Sequence, residues 1–345
     1  MKEWKTYRIG DICKTNSSQY STKEAWDEFL YLDTGNITRN IIEDIVRYAS
    51  AAELPSRARR KVVNDDIIFS TVRPNQCHFG ILSNPPANLL VSTGFTVITA
   101  NKKIVDPYYL YYYLTQDSIV DYLHSIGEQA VSAYPSIKAQ DIEDIEIELP
   151  DLSTQNNIAK TLRALDNKIQ LNRQINDNLE LQAQALYKSW FVDFEPFCEE
   201  EFIESSLGSI PVGWKVGQLS DICEIVGGGT PSKSHPEYYC KHGIAWITPK
   251  DLSVSKSKFS SRGSEDITSD GYKNSSAKLM PRGTVLFSSR APIGYISIAT
   301  NEICTNQGFK SAVPGIAGTG YLYYFLQANT DKIESKASGS TFKEA

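Results

Sequence analysis

The spacing of apolar residues along this chain changes with position, and each change predicts a different element. In the first 150 residues, apolar positions come in short runs. Ile67-Ile68-Phe69-Ser70 and Phe95-Thr96-Val97-Ile98 predict buried strands. Asn84-Pro85-Pro86 predicts a turn. Residues 107–123, opened by Asp106-Pro107 and carrying Leu110, Leu114, Ile119 and Leu123, predict one helix with its tyrosines packed against neighbours. Ile145, Ile147 and Leu149 alternate with acids, which predicts a half-buried closing strand.

After Pro150 the period becomes helical. Asp151, Ser153 or Thr154 can cap a helix. Ile158, Leu162, Leu165 and Ile169, then Leu179, Ala183, Leu186 and Trp190, follow in alternating steps of four and three. No Pro or Gly interrupts residues 152–195. A helix over residues 154–192 would be about 58 Å long at 1.5 Å per residue. Asn172 and Asn176 fall on its seam, where asparagine costs stability and fixes register. A single helix with such a stripe must bury it against something. Residues 198–212, acidic and then small and polar, read as a linker.

The first pattern then returns. Gly10-Asp11-Ile12-Cys13 recurs as Ser220-Asp221-Ile222-Cys223, Phe69-Ser70 with Arg73 as Phe287-Ser288 with Arg290, and Gly94-Phe95 as Gly308-Phe309. Leu110-Tyr111-Tyr112-Tyr113-Leu114 recurs as Leu322-Tyr323-Tyr324-Phe325-Leu326. An offset near 210 residues is a duplicated domain, far longer than the ~50 residues of a solenoid repeat. The expected architecture is α+β: two similar mixed α/β domains, residues 1–150 and 213–345, joined by a coiled-coil-forming helix over residues 151–197 and the linker. By the offset Ala345 corresponds to about Ala133, so the second copy is expected to lack its closing strand and its own long helix.

Composition adds bounds. No run approaches the ~20 apolar residues of a membrane span, and Met1-Lys2-Glu3-Trp4-Lys5 lacks a signal peptide's apolar core. A soluble cytoplasmic protein without membrane contact is expected. The six cysteines are scattered and predict reduced, mostly buried thiols, with Cys13 and Cys223 at one repeat position. A net charge of −6 argues against nucleic-acid binding, but its distribution softens that. Residues 1–150 carry 15 Lys and Arg against 20 Asp and Glu, and residues 151–204 carry five against ten, whereas residues 205–345 carry 15 against 11.

No catalytic constellation emerges. His235, Cys240 and His242 lack further ligands at zinc-finger spacing, so a loop without metal is expected. Gly227-Gly228-Gly229-Thr230-Pro231 lacks both the P-loop and the dinucleotide-binding endings and reads as a tight turn. Asn84-Pro85-Pro86-Ala87 stops one residue short of an adenine-methylase motif. What recurs is polar residues after matched strands: Ser70, Thr71 and Arg73, and Ser288, Ser289 and Arg290. Arginine can hold guanine O6 and N7 or clamp a phosphate; pairing with a surface carboxylate is the competing reading. Thr34, Asn36 and Thr38, and Thr248, Lys250 and Asp251, occupy another shared loop suited to bases and phosphates. Arg57, Arg59, Arg60 and Lys61 form a local basic cluster. Solvated loops are the alternative for both groups.

At this point the residues resemble a known family. Leu149-Pro150-Asp151-Leu152-Ser153-Thr154-Gln155 with Ile158-Ala159, Leu165-Asp166 and Lys168-Ile169 resembles the central conserved region of type I restriction–modification specificity subunits. Leu186-Tyr187-Lys188-Ser189-Trp190-Phe191-Val192-Asp193-Phe194, Leu207-Gly208 with Ile210-Pro211 and Gly213-Trp214, Gly228-Gly229-Thr230-Pro231-Ser232, and Phe287-Ser288-Ser289-Arg290-Ala291-Pro292-Ile293-Gly294 look like that family too. The resemblance implies two target-recognition domains that each read one half of a split site in double-stranded DNA. It implies long helices that set the gap and dock adenine-methyltransferase (modification) subunits, and no chemistry in this chain. S-adenosylmethionine, ATP and Mg would belong to those subunits and to a restriction/translocase subunit. The absent second helix departs from the family pattern. A related type IIB-like system, or a truncated variant assembling as a dimer, is the alternative reading. Further alternatives are an enzyme with one catalytic copy, and a structural coiled-coil dimer whose domains bind protein.

Overall fold

The computed structural model describes residues 4–129, 135–255, 257–290 and 292–337. Ala133, Ala345, Ala291 and Met1-Lys2-Glu3, each part of an expectation above, lie outside them. The chain divides into two compact units, Met1–Gln174 and Ile175–Ala345, and the division falls inside the long helix. The stretch 151–197 is therefore shared between two bodies.

The first unit is built on the strand Ile67–Ser70. Every residue of it is buried, so a continuous apolar run serves both of its faces. Ile67 and Phe69 enter one core with Leu110, Leu114 and Leu123, while Ile68 enters another with Phe95 and Val97. That split follows from the two-residue alternation of a strand. The sheet order is Cys13–Thr15, Phe95–Ala100, Ile67–Ser70, Phe79–Ile81, antiparallel throughout. A second four-stranded sheet runs Val46–Tyr48, Phe29–Leu32, Leu89–Ser92, Ala58–Lys61, with a parallel pair at its centre. The predicted closing strand is Glu146–Leu149, antiparallel to Lys5–Arg8, with Ile147 and Leu149 buried and Glu146 and Glu148 exposed.

The single helix expected over residues 107–123 is two helices, Pro107–Leu114 and Asp117–Gln129. The Asp106 carboxylate caps the first, accepting from the Tyr108 and Tyr109 amides at 3.0 and 2.9 Å. Thr115 ends it, and its hydroxyl donates to the Tyr111 carbonyl at 2.9 Å. The break lets Leu110 and Leu114 from one helix and Val120 and Leu123 from the other reach the same core. In a continuous helix, at about 100° per residue, Leu123 would point away from the face of Leu110 and Leu114.

The long helix is Leu152–Phe191, 40 residues, with the Thr154 amide bonded to the Asp151 carboxylate at 2.9 Å. Its base is locked by Gln155, only 1% exposed. The Gln155 amide accepts from the Asp106 N–H and donates to the Pro150 and Ile104 carbonyls. Among the described residues no helix is long and apolar enough to cross a membrane.

The second unit repeats the plan around Val285–Ser289, again buried at every position. Its sheet runs Cys223–Gly227, Lys310–Pro314, Val285–Ser289, Ile293–Ala299, Phe259–Ser260. A parallel pair, Trp246–Ile247 with Cys304–Thr305, matches the parallel pair of the first unit. The counterpart of the tyrosine helix is Thr319–Ala328. The repeat reaches single atoms: the Cys13 thiol donates to the Ile9 carbonyl and the Cys223 thiol to the Leu219 carbonyl, both four residues back. Within the expected linker, Phe202–Ser205 and Gly208–Pro211 form an antiparallel hairpin. Gly208 at φ +105° takes the backbone conformation its turn needs.

Candidate nucleic-acid interface

In both units the strand before the candidate loop ends in a hydroxyl pair that is spent on the backbone. Ser70 is buried, and its hydroxyl donates to the Val72 carbonyl at 3.0 Å. The Thr71 amide and hydroxyl both donate to the Gly94 carbonyl, at 2.8 and 2.9 Å. In the second unit the buried Ser288 hydroxyl donates to the Pro292 carbonyl at 2.8 Å. The Ser289 amide and hydroxyl both donate to the Gly308 carbonyl, at 2.8 and 3.3 Å. Three of these four hydroxyls, on Ser70, Ser288 and Ser289, belong to fully buried residues, so they shape the loop instead of facing outward. Arg73 and Arg290, the residues that follow, are half-buried. Arg73 sits at φ 47°, a left-handed backbone uncommon outside glycine.

The second shared loop meets the first at the glycine. A Cβ on Gly94 would lie 2.9 Å from the Thr34 methyl, and one on Gly308 3.1 Å from the Pro249 ring. Each loop is organised by a carboxylate. Asp33 accepts from the Thr34 amide at 2.8 Å and the Tyr31 hydroxyl at 3.0 Å, and the Asn36 amide bonds the Asp33 carbonyl. Burial pushes the Asp33 carboxyl up, but those bonds, the Ser92 hydroxyl and the Arg57 charge outweigh it, leaving its pKa below the usual value. Asp251 accepts from the Thr248 amide and hydroxyl at 2.8 and 2.7 Å and from the Ser264 amide at 2.9 Å. Burial again opposes ionisation there, and the hydrogen bonds prevail. The structure thus brings Thr34 and Thr71 to Gly94, with the Arg57 carbonyl bonded to the neighbouring Thr93 amide, and Pro249 and Ser289 to Gly308. Thr38 lies further on in the first loop, with its hydroxyl 3.4 Å from His78 Nδ1.

The basic cluster of the first unit does not act as one patch. Arg57 is exposed, and its carbonyl accepts from the Thr93 amide beside Gly94. Arg59 donates to the Ser56 carbonyl. The Arg60 guanidinium turns inward to Asn16 and the Phe95 carbonyl, and burial pulls its pKa down. Lys61 pairs with Glu24 at 2.7 Å and lies 5.5 Å from the Trp26 ring. Alternation along Ala58–Lys61 separates neighbours that look contiguous in sequence.

Sequence reasoning passed over Arg262 and Ser264. With Lys250 and Asp251 they line a hollow of about 340 Å³. Arg262 also pairs with the buried Asp266 at 3.0 Å. Its position in an irregular stretch gave no periodic signal. The Gly227–Gly229 turn is a packing device: a Cβ on Gly228 would fall 2.0 Å from the Asn306 carbonyl oxygen and one on Gly229 2.4 Å from the Ala277 amide. The His235 imidazole is paired with Glu237 and stacked on Tyr238.

Among the described residues nothing covers most of the seam of the long helix. Ile158, Leu165, Ile169, Leu179, Leu186 and Trp190 are 37–59% exposed, Leu162 and Ala183 are half-buried, and Asn172 and Asn176 are exposed. Among the described residues a neighbouring row at seven-residue spacing holds the helix to each unit. Ala159 is buried and Asp166 accepts from the Tyr112 hydroxyl at 2.7 Å in the first unit. Glu180 accepts from the Tyr324 hydroxyl at 3.0 Å and Tyr187 is buried in the second. Arg163 lies 3.6 Å over the Tyr108 ring.

A protein-family profile described as "Type I restriction modification DNA specificity domain" matches residues 1–181 and 211–345. The specificity subunit of the type I restriction enzyme HindI from Haemophilus influenzae is 27% identical over 401 residues, covering 99% of this chain and 86% of that protein. The MjaIX specificity subunit from Methanocaldococcus jannaschii is 43% identical over 150 residues, 42% of this chain and 34% of its own length. A solved S subunit of a type I restriction–modification system from M. genitalium superposes with a TM-score of 0.56 at 12% identity, covering 96% of this chain and 79% of that one, a likeness of fold alone.

Proposed function

The chain belongs to the type I restriction–modification DNA specificity family, and from that premise we propose that it is the DNA-reading subunit of such a complex. Each unit reads one half of a bipartite duplex site. The long helix sets the gap and docks adenine-methyltransferase subunits. The chain itself carries no chemistry: S-adenosylmethionine serves the methyltransferase subunits, and ATP with Mg serves a restriction/translocase subunit. It works in the cytoplasm, where its DNA is.

The observation that carries this reading is the shared loop anchor with different side chains around it. Thr71 on Gly94 and Ser289 on Gly308 make the same two-point contact. Arg73 follows the first anchor in the chain and the Arg57 carbonyl holds Thr93 beside Gly94, whereas Arg290 follows the second and Thr248 and Lys250 flank Pro249, which lies against Gly308. One scaffold with two sets of polar groups suits two different half-sites, because backbone and phosphate contacts position a protein while side chains on base edges specify. The net charge of −6 fits a subunit whose partners supply much of the phosphate contact.

Methylome sequencing of cells carrying this chain with a cognate methyltransferase tests the proposal. A two-part motif with modified adenine in both parts is expected. A single uninterrupted motif, or methyl transfer by the purified chain alone, would overturn it.

A further inference from the structure

In the second unit the loop that meets Gly308 runs into the hollow of about 340 Å³ whose lining includes Lys250, Asp251, Arg262 and Ser264. Pro249, the residue before Lys250, is the one a Gly308 Cβ would strike at 3.1 Å. The Gly308 carbonyl in turn holds Ser289, the residue before Arg290. The hollow therefore adjoins the candidate contact loop of its own unit. Arg262 is fixed there: one guanidinium nitrogen bonds an Asp266 carboxylate oxygen at 3.0 Å, and Asp266 is only 1% exposed. The same Asp266 oxygen accepts from the Gly243 amide at 2.9 Å, so the anchor is itself held. Lys250 is exposed, and among the described residues no carboxylate pairs with it. The carboxylate in the lining, Asp251, is spent on its own loop. One oxygen accepts from the Thr248 amide and hydroxyl, the other from the Ser264 amide. The first unit differs at these places. At the spacing that relates Gly94 to Gly308, Asn36 stands where the second unit has Lys250. Arg60 there turns inward and Lys61 pairs with Glu24.

We propose that Lys250 and Arg262 clamp one backbone phosphate of duplex DNA, so that the second unit grips the duplex itself. This rests on the DNA-reading assignment and deepens it. A guanidinium fork matches phosphate oxygens, and the Asp266 bond holds this one in place before DNA arrives. The Lys250 ammonium on its flexible stem closes from the other side as a point charge. Phosphate contacts position a protein without specifying sequence. The clamp therefore fixes where Arg290 meets the base edges. Its placement agrees with the charge distribution, 15 Lys and Arg against 11 Asp and Glu in residues 205–345.

The probe is a labelled duplex of arbitrary sequence and about 20 base pairs, titrated with the full chain by fluorescence anisotropy from about 50 to about 200 mM NaCl. Lys250→Gln and Arg262→Gln should each weaken binding about threefold to tenfold at the lowest salt. Each should also make the slope of log affinity against log salt shallower by about 1. Lys250→Arg should retain both affinity and slope. Lys250→Gln should leave the melting temperature unchanged, which separates loss of the contact from loss of the fold. Arg262→Gln also strips the buried Asp266 of its partner, and its melting temperature should fall. Wild-type affinity and slope in Lys250→Gln would overturn the clamp and leave the DNA-reading assignment standing. Absence of duplex binding by the wild-type chain at the lowest salt would also overturn it, and the methylome motif would then judge that assignment by itself. Calorimetry with inorganic phosphate distinguishes a small-anion site. Saturable phosphate binding lost with Lys250→Gln, while that variant leaves duplex affinity unchanged, would assign the hollow to a free anion and overturn the proposal.

Discussion

The Tyr324 hydroxyl and the Glu180 carboxylate are 3.0 Å apart, and the Lys258 ammonium bonds both, at 2.6 Å to Tyr324 and 2.5 Å to Glu180. Lys258 also lies 4.7 and 4.6 Å from the Tyr323 and Tyr324 rings. This three-residue latch ties the second half of the long helix to its recognition domain. Burial opposes both charges, yet the mutual bonds win, leaving Glu180 below its ordinary pKa and Lys258 above. A depressed carboxyl contributes stability that is present above its unfolded value and lost as pH falls through the folded one. A raised ammonium contributes stability that is present below its unfolded value and lost as pH rises through the folded one. Glu180→Gln should therefore cost about 1–2 kcal/mol near pH 7, and the deficit relative to wild type should shrink below about pH 4. Urea unfolding at the two pH values checks this; an unchanged deficit would count against the latch.

Arg73→Ala and Arg290→Ala should each relax preference in one half-site only, by about 1–3 kcal/mol if a bidentate base contact is lost. Binding assays of the assembled complex on half-site variants read this out. Equal losses on every sequence, with a shallower salt dependence, would instead assign both to phosphates.

Arg57 and Arg60 should separate. Arg60 is tied to Asn16 and the Phe95 carbonyl inside the first unit, so Arg60→Met should lower the melting temperature by an amount equivalent to about 1–3 kcal/mol. Arg57 is exposed beside the Gly94 loop, so Arg57→Ala should leave melting nearly unchanged and weaken DNA binding. Thermal melts alongside DNA titrations distinguish the two.

The thiols should react in an order set by burial. Burial, with the Glu143 charge adding, pushes Cys13 up to about 12, and burial alone takes Cys304 to about 12. Cys198 is exposed. With alkylating reagent at pH 8, Cys198 should be modified first, and Cys13 and Cys304 only on unfolding, because the thiolate is the reactive form. Mass spectrometry of tryptic peptides over time gives the order.

Local pattern alone determined much of this protein. The duplication, the buried strand before each candidate loop, the Asp106-Pro107 helix start and the uninterrupted helix after Pro150 are all written in adjacent residues. Each depends on interactions within a few positions, where periodicity and capping chemistry act. Tertiary structure decided what adjacency cannot show. It divided Arg59 from Arg60, because successive strand residues face opposite ways. It broke residues 107–123 at Thr115, because two helices reach a core that one cannot. It gave Asp166 and Glu180, which look like solvent-facing acids, the task of receiving Tyr112 and Tyr324, and among the described residues it left most of the apolar seam beside them uncovered. Which face of a helix is buried depends on what stands opposite, and that is a property of the folded chain.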